Sequence, residues 1–457
     1  MTTPLRVAIV GAGPSGFFLA DKLSGQTDCP VAVDLFERLP VPYGLVRFGV
    51  APDHEKIKAV TRSFDKVAAR PNVRFFGNVE IGRDLSVDEL RQFYHAVAFT
   101  TGAQSDRRMG IPGEDLRGSH PATEFVAWYN GHPDYRDRTF DLSVERVAVV
   151  GVGNVAVDVA RILSRSIDEL ATTDIADHAL EALRHSRVRE VYLLGRRGPV
   201  QAAFTAPEVK ELGEMQLADA VTLPEEVALD PICRELLDRE NDAANKRKVE
   251  VLSEFAQRTP SGKPKRLTIR FLVSPVELVD DGTGRVRAIR LVRNRLVLKN
   301  GEIAAEPTGT IEELPVGLVF RSVGYRGQPI DGLPFDERRG TVPNDHGRVL
   351  AAPGGEPMPG LYVAGWIKRG PNGVIGTNKP DSAETADQIL ADFSNSILID
   401  PPANAPDLVA MTLATRNADV VSWAGWQKIN EAETMRGKAA GRPRTKLTSV
   451  ADMLGAR

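Results

Sequence analysis

The chain has 457 residues, enough for two or three domains, and its 42% hydrophobic and 26% charged residues are typical of a globular protein. The net charge of −3 excludes a global attraction to nucleic acid, and no apolar run reaches the length of a membrane span. Two widely separated cysteines, Cys29 and Cys233, exclude a disulfide framework and a cysteine-ligated iron–sulfur cluster. They favour a reducing compartment, and the first residues lack the features of a signal peptide, so we expect a cytoplasmic protein without a metal site.

The first predicted elements are a strand at 6–10 and a helix over 17–23, joined by a glycine-rich turn. The turn has the spacing G-x-G-x-x-G, formed by Gly11, Gly13 and Gly16. Between a strand and a helix this spacing predicts a dinucleotide-binding unit. The glycines allow a tight turn and close approach of a pyrophosphate, which lies on the helix N-terminus.

A second apolar strand is predicted at 31–36 and ends at Glu37. This acid follows Gly16 by about 20 residues, where a carboxylate that binds the ribose of a dinucleotide is expected. The alternative is a glycine-rich turn in an ordinary α/β domain with a solvated Glu37. The coincidence of strand, turn and acid favours the dinucleotide site.

The rest of the first unit is predicted from composition and periodicity. The loop at 40–54 is rich in proline and glycine but poor in charge, which is typical of a loop packed against another part of the protein. A helix over 55–69 and strands at 73–76 and 95–101 are expected to follow.

A second strand, turn and helix begins with a strand at 147–150 and a turn at 151–156, whose third glycine is replaced by alanine, as the fingerprint allows. The next strand, at 190–194, ends in Arg196 and Arg197, where an NAD site would have an acid. Guanidinium groups bind phosphates in bidentate fashion, so we expect this site to select NADP(H) through the 2′-phosphate. A solvated basic turn is the alternative.

Charged helices are predicted after this second turn. Pro207 suits the first turn of a helix in which Glu208 and Glu211 share one face. Whether these acids are functional or are surface residues favoured by the helix dipole stays open. Residues 213–260 are helix-prone, and basic residues within 246–248 and 263–266 are either solvated or a docking site for an acidic partner.

The C-terminal half is predicted to begin with a hairpin pair at 267–279 and 285–298 and a strand at 316–323. A strand at 361–364 and a glycine-rich turn at 370–376 then indicate that the chain returns to the first unit.

The final segment is predicted to be helical. A helix is expected from about residue 383, and the tail has a helical part near 423–433. The basic stretch at 438–446 is expected to be solvated.

Two dinucleotide sites in one chain indicate a flavoprotein supplied by a nicotinamide, with FAD in the first site and NADPH in the second. The predicted fold is α/β, with two Rossmann-like domains of parallel sheets and a small antiparallel sheet, in a glutathione-reductase-like tandem arrangement. We expect an FAD-binding domain from 1–106 and 319–457, and an NADP(H)-binding domain at 107–318. No Cys-x-x-Cys motif occurs, which excludes a disulfide-reductase route and predicts an external electron acceptor.

Three segments contain more specific motifs. They are YGLVR and GVAPDH within 43–54, GRRGP and QAAFT within 195–205, and GWIKRGP and GVIGTN within 365–378. With these motifs the chain resembles the adrenodoxin-reductase-type ferredoxin–NADP⁺ reductases over nearly its whole length. The resemblance implies hydride transfer from NADPH to FAD and single-electron transfer to a ferredoxin by a monomeric enzyme.

The resemblance also implies individual contacts. Those to FAD are Ser15, Glu37, Leu45, Ile81, Trp366, Gly373, Val374 and Ile375. Those to NADP(H) are Val152, Gly153, Asn154, Val155, Arg196, Arg197, Glu208 and Gly373. His54 and Glu211 match the family's pair near the flavin and nicotinamide, where they are expected to tune hydride transfer electrostatically rather than donate protons.

Three alternative functions remain open at this point. A subunit similar to the small subunit of glutamate synthase shares the tandem arrangement, but its iron–sulfur cysteines are missing here. A redox-silent flavin-binding protein would not be bleached by NADPH. An NADPH oxidase or quinone reductase would use ferredoxin poorly.

Overall fold

The computed structural model describes residues 4–240, 242–403, 405, 407–416 and 419–457. The chain divides into two compact units. The first consists of Met1–Ser105, Asn130–Pro133 and Gly324–Arg457. The second consists of Asp106–Tyr129 and Asp134–Val323. The domain boundaries predicted from the sequence stay predictions, and so does the assignment of FAD to one domain and NADP(H) to the other.

The strands are numbered in chain order. They are β1 (Leu5–Val10), β2 (Val31–Glu37), β3 (Val73–Gly77), β4 (Ala96–Phe99), β5 (Ser105–Asp106), β6 (Ser119–Pro121), β7 (Arg146–Val150), β8 (Glu190–Leu194), β9 (Ala218–Thr222), β10 (Lys265–Arg270), β11 (Val273–Asp280), β12 (Val286–Lys299), β13 (Glu302–Pro315), β14 (Leu318–Arg321), β15 (Tyr325–Arg326), β16 (Asn344–Asp345), β17 (Arg348–Leu350) and β18 (Pro357–Val363).

The α-helices are numbered in the same way. They are α1 (Pro14–Ser24), α2 (Leu45–Phe48), α3 (Glu55–Lys58), α4 (Thr61–Ala68), α5 (Val87–Phe93), α6 (Ala122–Tyr129), α7 (Asn154–Ser164), α8 (Ile167–Ala171), α9 (Asp177–Arg184), α10 (Ala206–Leu212), α11 (Pro224–Val227), α12 (Pro231–Glu240), α13 (Ala243–Gln257), α14 (Trp366–Arg369), α15 (Asn378–Ser394), α16 (Leu408–Thr415), α17 (Trp423–Ala439) and α18 (Val450–Gly455).

The first unit is built on a seven-stranded sheet of order β16-β17-β18-β4-β1-β2-β3. Strand β1 is buried along its whole length and pairs in parallel with β2 and β4, as expected for an apolar strand covered on both faces. β18 adds to β4 in parallel, so the C-terminal segment completes the sheet that the N-terminal segment begins. The predicted return of the chain to its first unit is confirmed.

The second unit contains a parallel sheet of order β6-β14-β7-β8-β10-β9 and an antiparallel sheet of order β11-β12-β13. In the parallel sheet β7 pairs with β8 and β14, and the helix α7 follows β7 directly. The predicted α/β class, with two parallel sheets and a small antiparallel sheet, is therefore confirmed.

Two predictions of secondary structure in the second unit are wrong. The segment 267–279 is not one arm of a hairpin: β10 belongs to the parallel sheet, Leu272 has φ +57°, and only β11 pairs with β12. β9 lies within the segment predicted to be helical, where it pairs with β10 at the sheet edge. The first error arose because periodicity finds strands but does not show which sheet each one joins. The second arose because a short apolar run in a buried strand looks like one in a helix.

Three further predictions require smaller corrections. The helix predicted over 55–69 is two pieces, α3 and α4, and the loop at 40–54 contains the short helix α2. The helix predicted from about residue 383 begins at Asn378. The tail is not fully solvated, because Lys446 is buried and donates to the carbonyl of Arg47 and the side-chain oxygen of Asn130.

Within the described ranges, no helix combines the length and the apolar character needed to cross a bilayer. In the same ranges, no group of three or more His, Cys, Asp or Glu side chains is arranged to hold a metal ion.

Candidate dinucleotide sites

The turn between β1 and α1 is shaped by glycines that no larger residue could replace without strain. Gly11 has φ +107°, and a Cβ there would lie 2.8 Å from the carbonyl oxygen of Thr100. A Cβ on Gly16 would lie 2.1 Å from the carbonyl oxygen of Gly11. These two glycines therefore let the turn pack closely on itself and on the end of β4. The N–H groups of Ser15 and Gly16 lie in the first turn of α1, where no intrahelical acceptor exists, so they are suited to bind a phosphate.

Replacing Gly16 with alanine should sharply lower the FAD content of the protein, because the added Cβ collides with the backbone of the turn. The ratio of flavin to protein absorbance measures this effect. Gly455→Ala is the control, because a Cβ there meets no atom within 4 Å. Equal flavin content in the two variants would contradict the assignment of this turn to FAD.

Glu37 lies at the end of β2 and faces the glycine-rich turn. Its carboxylate accepts hydrogen bonds from the N–H of Ala12, at 3.0 Å, and from the N–H of Leu39, at 3.2 Å. Burial raises the pKa of this carboxyl, although the two N–H donors oppose the shift. Glu37 thus fixes the turn itself, and its contact with a ribose stays a prediction.

The loop at 40–54 packs against the same turn. The N–H of Tyr43 donates to the carbonyl of Ala12 at 2.8 Å, and a Cβ on Gly44, which has φ +49°, would lie 3.1 Å from the Cα of Gly13. α2 begins directly after this contact, so Leu45 is placed beside the turn with 37% of its surface exposed.

Two other predicted residues of the first unit lie farther along the chain. His54 is the N-cap of α3 and is half-buried; its carbonyl accepts the N–H of Ile57. Ile81 is half-buried after β3 and forms an isolated bridge with Leu85. The roles of His54 and Ile81 toward FAD and hydride transfer stay predictions.

The segment that follows β18 is brought to the start of α1. A Cβ on Gly365, which has φ +79°, would lie 2.1 Å from the hydroxyl of Ser15, and that hydroxyl donates to the side-chain oxygen of Asn378 at 2.9 Å. Asp381 accepts the N–H of Gly365 and pairs with Lys368 at 3.2 Å. Sequence reasoning assigned no role to Asn378 or Asp381. Asn378 ends the motif GVIGTN, which was the one signal that could have pointed to it.

The indole of Trp366 follows directly. Its Nε1 donates to the carbonyl of Asn372 at 3.0 Å, and its ring lies 5.4 Å from that of Tyr325. In the turn at 373–375, Gly373 has φ +77°, and the N–H of Val374 donates to the hydroxyl of Thr377. If the N–H of Val374 binds a ligand, its hydrogen bond to Thr377 must break or become bifurcated.

The second glycine-rich turn joins β7 to α7. Gly151 has φ +131°, and a Cβ there would lie 2.2 Å from the carbonyl oxygen of Ser322, whereas a Cβ on Gly153 would meet nothing within 4 Å. The side-chain oxygen of Asn154 is buried without a hydrogen-bond partner among the described residues. The open space at Gly153 and the unsatisfied Asn154 oxygen fit a polar ligand at this turn.

Val152 and Val155 of this turn are half-buried. The carbonyl of Val152 accepts the N–H groups of Ala203 and Phe204, at 2.9 and 3.1 Å. The turn is thereby tied to the loop that follows β8.

That loop begins with the two predicted phosphate-binding arginines. Arg196 is exposed and Arg197 is half-buried. Among the described residues, no carboxylate lies within 4.0 Å of either guanidinium. Two cations at the end of a strand beside a dinucleotide turn, without acidic partners, fit a phosphate.

The two glutamates of α10 have different surroundings. The carboxylate of Glu208 accepts the N–H and the hydroxyl of Thr205, both at 2.9 Å, and so caps its own helix. The carboxylate of Glu211 is 41% exposed and lies 4.0 Å from the Nη1 of Arg161. Glu208 therefore has a structural task, and the roles of both acids toward NADP(H) stay predictions.

Most of the predicted docking cations are engaged within the second unit. The ammonium groups of Lys248, Lys263 and Lys265 donate to backbone carbonyls. Arg247 pairs with Glu250 at 2.8 Å. These four side chains are therefore engaged locally, and docking of an acidic partner at these segments stays a prediction.

Each unit thus presents a glycine-rich turn at the carboxyl edge of a parallel sheet, one with an acid and the other with two arginines at the next strand end. This geometry defines the class as an α/β oxidoreductase with two dinucleotide sites.

Known proteins agree with this class, although no family model matches the chain. NADPH-ferredoxin reductase FprA of Mycobacterium tuberculosis is 48% identical over 465 residues, covering 99% of this chain and 98% of that protein. The mitochondrial NADPH:adrenodoxin oxidoreductase of Arabidopsis thaliana is 42% identical over 464 residues, covering 99% and 95%. The solved structure of M. tuberculosis FprA in complex with NADPH has a TM-score of 0.93 to this chain and covers 99% of both. The chain belongs to the adrenodoxin-reductase-type ferredoxin–NADP⁺ reductases, FAD-containing oxidoreductases that use NADPH.

Proposed function

We propose that this chain takes a hydride from NADPH onto bound FAD and passes the electrons singly to a small ferredoxin-type iron–sulfur protein. The central observation is the presence of Arg196 and Arg197, without acidic partners among the described residues, beside a second dinucleotide turn. The flavin supplies the change from two-electron to one-electron chemistry, and the protein supplies binding, orientation and exclusion of water. A cytoplasmic, monomeric enzyme is part of this proposal, supported by the two free cysteines and by the family.

Anaerobic titration of the purified holoenzyme tests the first half. NADPH is expected to bleach the flavin at a stoichiometry of about one, and NADH only at much higher concentration. Failure of both nucleotides to bleach it would favour a redox-silent flavin-binding protein.

A second assay tests the acceptor. Reduction of cytochrome c by NADPH should depend on added ferredoxin, whereas ferricyanide should be reduced without it. Rates with oxygen or a quinone that exceed the ferredoxin-dependent rate would instead favour an oxidase or quinone reductase.

The binding residues follow from their positions in the two units. For FAD we propose the turn at 11–16, Glu37, Leu45, Ile81, Trp366 and the turn at 373–375. For NADP(H) we propose the turn at 152–155, the two arginines, Glu208 and Gly373. The contacts of Glu37, Gly44 and Gly365 with the first turn support the former set. The unsatisfied oxygen of Asn154 supports the latter.

We propose that His54 and Glu211 adjust the electrostatics of hydride transfer rather than donate protons. Glu211→Gln should lower the rate of flavin reduction by NADPH by about tenfold with little change in FAD content, because one carboxylate charge is lost without a change in shape. Stopped-flow absorbance measures this rate. Glu214→Gln, an exposed glutamate that pairs with Lys210 at 3.7 Å, is the control. Equal rates in the two variants would refute the role of Glu211.

A further inference from the structure

The residues that follow β8 form a loop that other parts of the second unit hold in place. We call residues 195–205 the arginine loop, because it begins with Arg196 and Arg197. At its far end, the N–H groups of Ala203 and Phe204 donate to the carbonyl of Val152 in the glycine-rich turn. The far end of the loop is therefore tied to the dinucleotide turn.

Lys248 of α13 supports the middle of the arginine loop. Its ammonium donates to the carbonyl of Ala202 at 2.5 Å and to that of Val200 at 3.3 Å, and it lies 6.0 Å from the ring centroid of Phe204. Lys248 is 4% exposed, and burial lowers its pKa to about 8. A lysine is rarely buried to this extent unless it has a specific partner, and here the partner is the backbone of the loop.

Asn294 of β12 supports the arginines themselves. Its amide nitrogen donates to the carbonyl of Arg196 at 2.9 Å and to the hydroxyl of Ser274 at 2.8 Å. The next carbonyl, that of Arg197, accepts the N–H of Leu272 at 3.2 Å. Asn294 is 7% exposed, and its own N–H donates to the carbonyl of Leu272. Its side chain is therefore held in position beneath the carbonyl of Arg196.

We propose that Lys248 and Asn294 are positioning residues for nicotinamide selectivity. They contact the backbone of the arginine loop and fix the point from which the two guanidinium groups extend. A loop held in its binding conformation loses less entropy when it closes on a phosphate, so these residues raise the affinity for the phosphorylated nucleotide only. This inference rests on the proposed binding of the 2′-phosphate by Arg196 and Arg197.

Calorimetric titration of the holoenzyme with adenosine 2′,5′-bisphosphate and with AMP tests the inference, because the two ligands differ in the 2′-phosphate. Lys248→Met and Asn294→Ala are each expected to weaken binding of the bisphosphate about tenfold and to leave binding of AMP unchanged. In steady-state assays with ferricyanide the KM for NADPH should rise about tenfold, with kcat and the KM for NADH unchanged. Lys248→Arg keeps a donor to the loop and should therefore retain part of the affinity for the bisphosphate that Lys248→Met loses.

The matched control is Lys265→Met. Lys265 is also a lysine whose pKa burial lowers to about 8 and also donates to a carbonyl, that of Leu163 at 2.8 Å, but it does not contact the arginine loop. This variant should match Lys248→Met in any loss of thermal stability while keeping the affinity for the bisphosphate. Equal loss of affinity for both ligands, or equal effects of the two lysine variants, would overturn the inference.

A variant that also lacks both arginines separates this inference from the proposed function. In an Arg196→Gln, Arg197→Gln background, Lys248→Met should have no further effect on the bisphosphate, because it acts through those side chains. If the two arginine substitutions alone leave the preference unchanged, the proposed function fails. If they remove the preference but Lys248→Met and Asn294→Ala do not alter it, only the positioning role fails. Should Lys248→Met not fold, Asn294→Ala and Lys248→Arg still decide the question.

Discussion

Replacing Arg196 and Arg197 together with glutamine is expected to lower the preference for NADPH over NADH by about 100-fold or more. Each guanidinium supplies charge-assisted hydrogen bonds to a phosphate, worth about 1.5–3 kcal/mol, and a factor of ten corresponds to about 1.4 kcal/mol. Nearly all of the change should come from weaker use of NADPH, because NADH has no group for these side chains to bind. The ratio of kcat/KM values for the two nucleotides measures the effect.

The control uses two arginines at the opposite end of the same strand. Arg187 and Arg189 are exposed and precede β8, whereas Arg196 and Arg197 follow it. Arg187→Gln with Arg189→Gln removes the same net charge from the unit but should leave the preference unchanged. If both double variants behave alike, the effect is one of overall charge, and the arginine loop does not bind the 2′-phosphate.

The second large effect is expected at Glu433 of α17. This glutamate is fully buried. Its carboxylate accepts hydrogen bonds from the Nη1 of Arg47 at 2.9 Å, the Nη1 of Arg444 at 3.1 Å and the backbone N–H of Leu447 at 2.8 Å. Arg47 lies in α2, two residues after Leu45, and is itself buried. The C-terminal segment therefore holds the short helix that packs beside the first dinucleotide turn.

Glu433→Gln should destabilise the protein by about 3–5 kcal/mol, because it leaves the charge of Arg47 buried without its partner. The change should also weaken FAD binding, since α2 is less firmly held. Urea unfolding and the fluorescence of released flavin measure the two effects. Glu431→Gln, an exposed glutamate of the same helix, is the control and should change neither. Loss of stability without any loss of flavin would separate α2 from the FAD site.

The ion pair of Glu433 with Arg47 also predicts that the stability of the protein depends on pH. Burial alone would raise the pKa of Glu433, but Arg47 and Arg444 outweigh it and hold this pKa below its ordinary value of 4.5. A carboxyl group with a lowered folded-state pKa contributes stability above its unfolded-state pKa, and that contribution is lost as the pH falls through the folded-state pKa. Between about pH 5 and pH 3 the wild-type protein should therefore lose more stability than Glu433→Gln, as calorimetry would show. Parallel losses in the two proteins would contradict this linkage.

Much of each candidate site could be predicted because its signals are local. The glycine spacings at 11–16 and 151–156 lie directly between a strand and a helix. Glu37 ends the next strand of the first unit, and the two arginines follow the next strand of the second. Strand, turn and terminal residue are neighbours in the chain, so their geometry depends mainly on backbone sterics and short-range periodicity.

The side-chain contacts that hold these turns and loops in place could not be predicted from the sequence. Ser15 meets Asn378, Arg47 meets Glu433, and Lys248 meets the carbonyl of Ala202. The first two pairs are more than 350 residues apart in the chain, and a lone sequence contains no information about such distances. The C-terminal tail is an example. Its basic composition predicted that 438–446 would be exposed to solvent, whereas Lys446 is buried and donates to the carbonyl of Arg47.

By itself the sequence determined the α/β class, the two dinucleotide turns and the chemistry that each turn favours, because these depend on residues close together in the chain. Only the tertiary structure decided which side chains hold those turns in place, that β9 and β10 join one parallel sheet, and that Glu208 caps a helix. The physical reason is that a buried charge or carbonyl must find a partner, and the partner is selected by the packing of distant segments rather than by neighbouring residues.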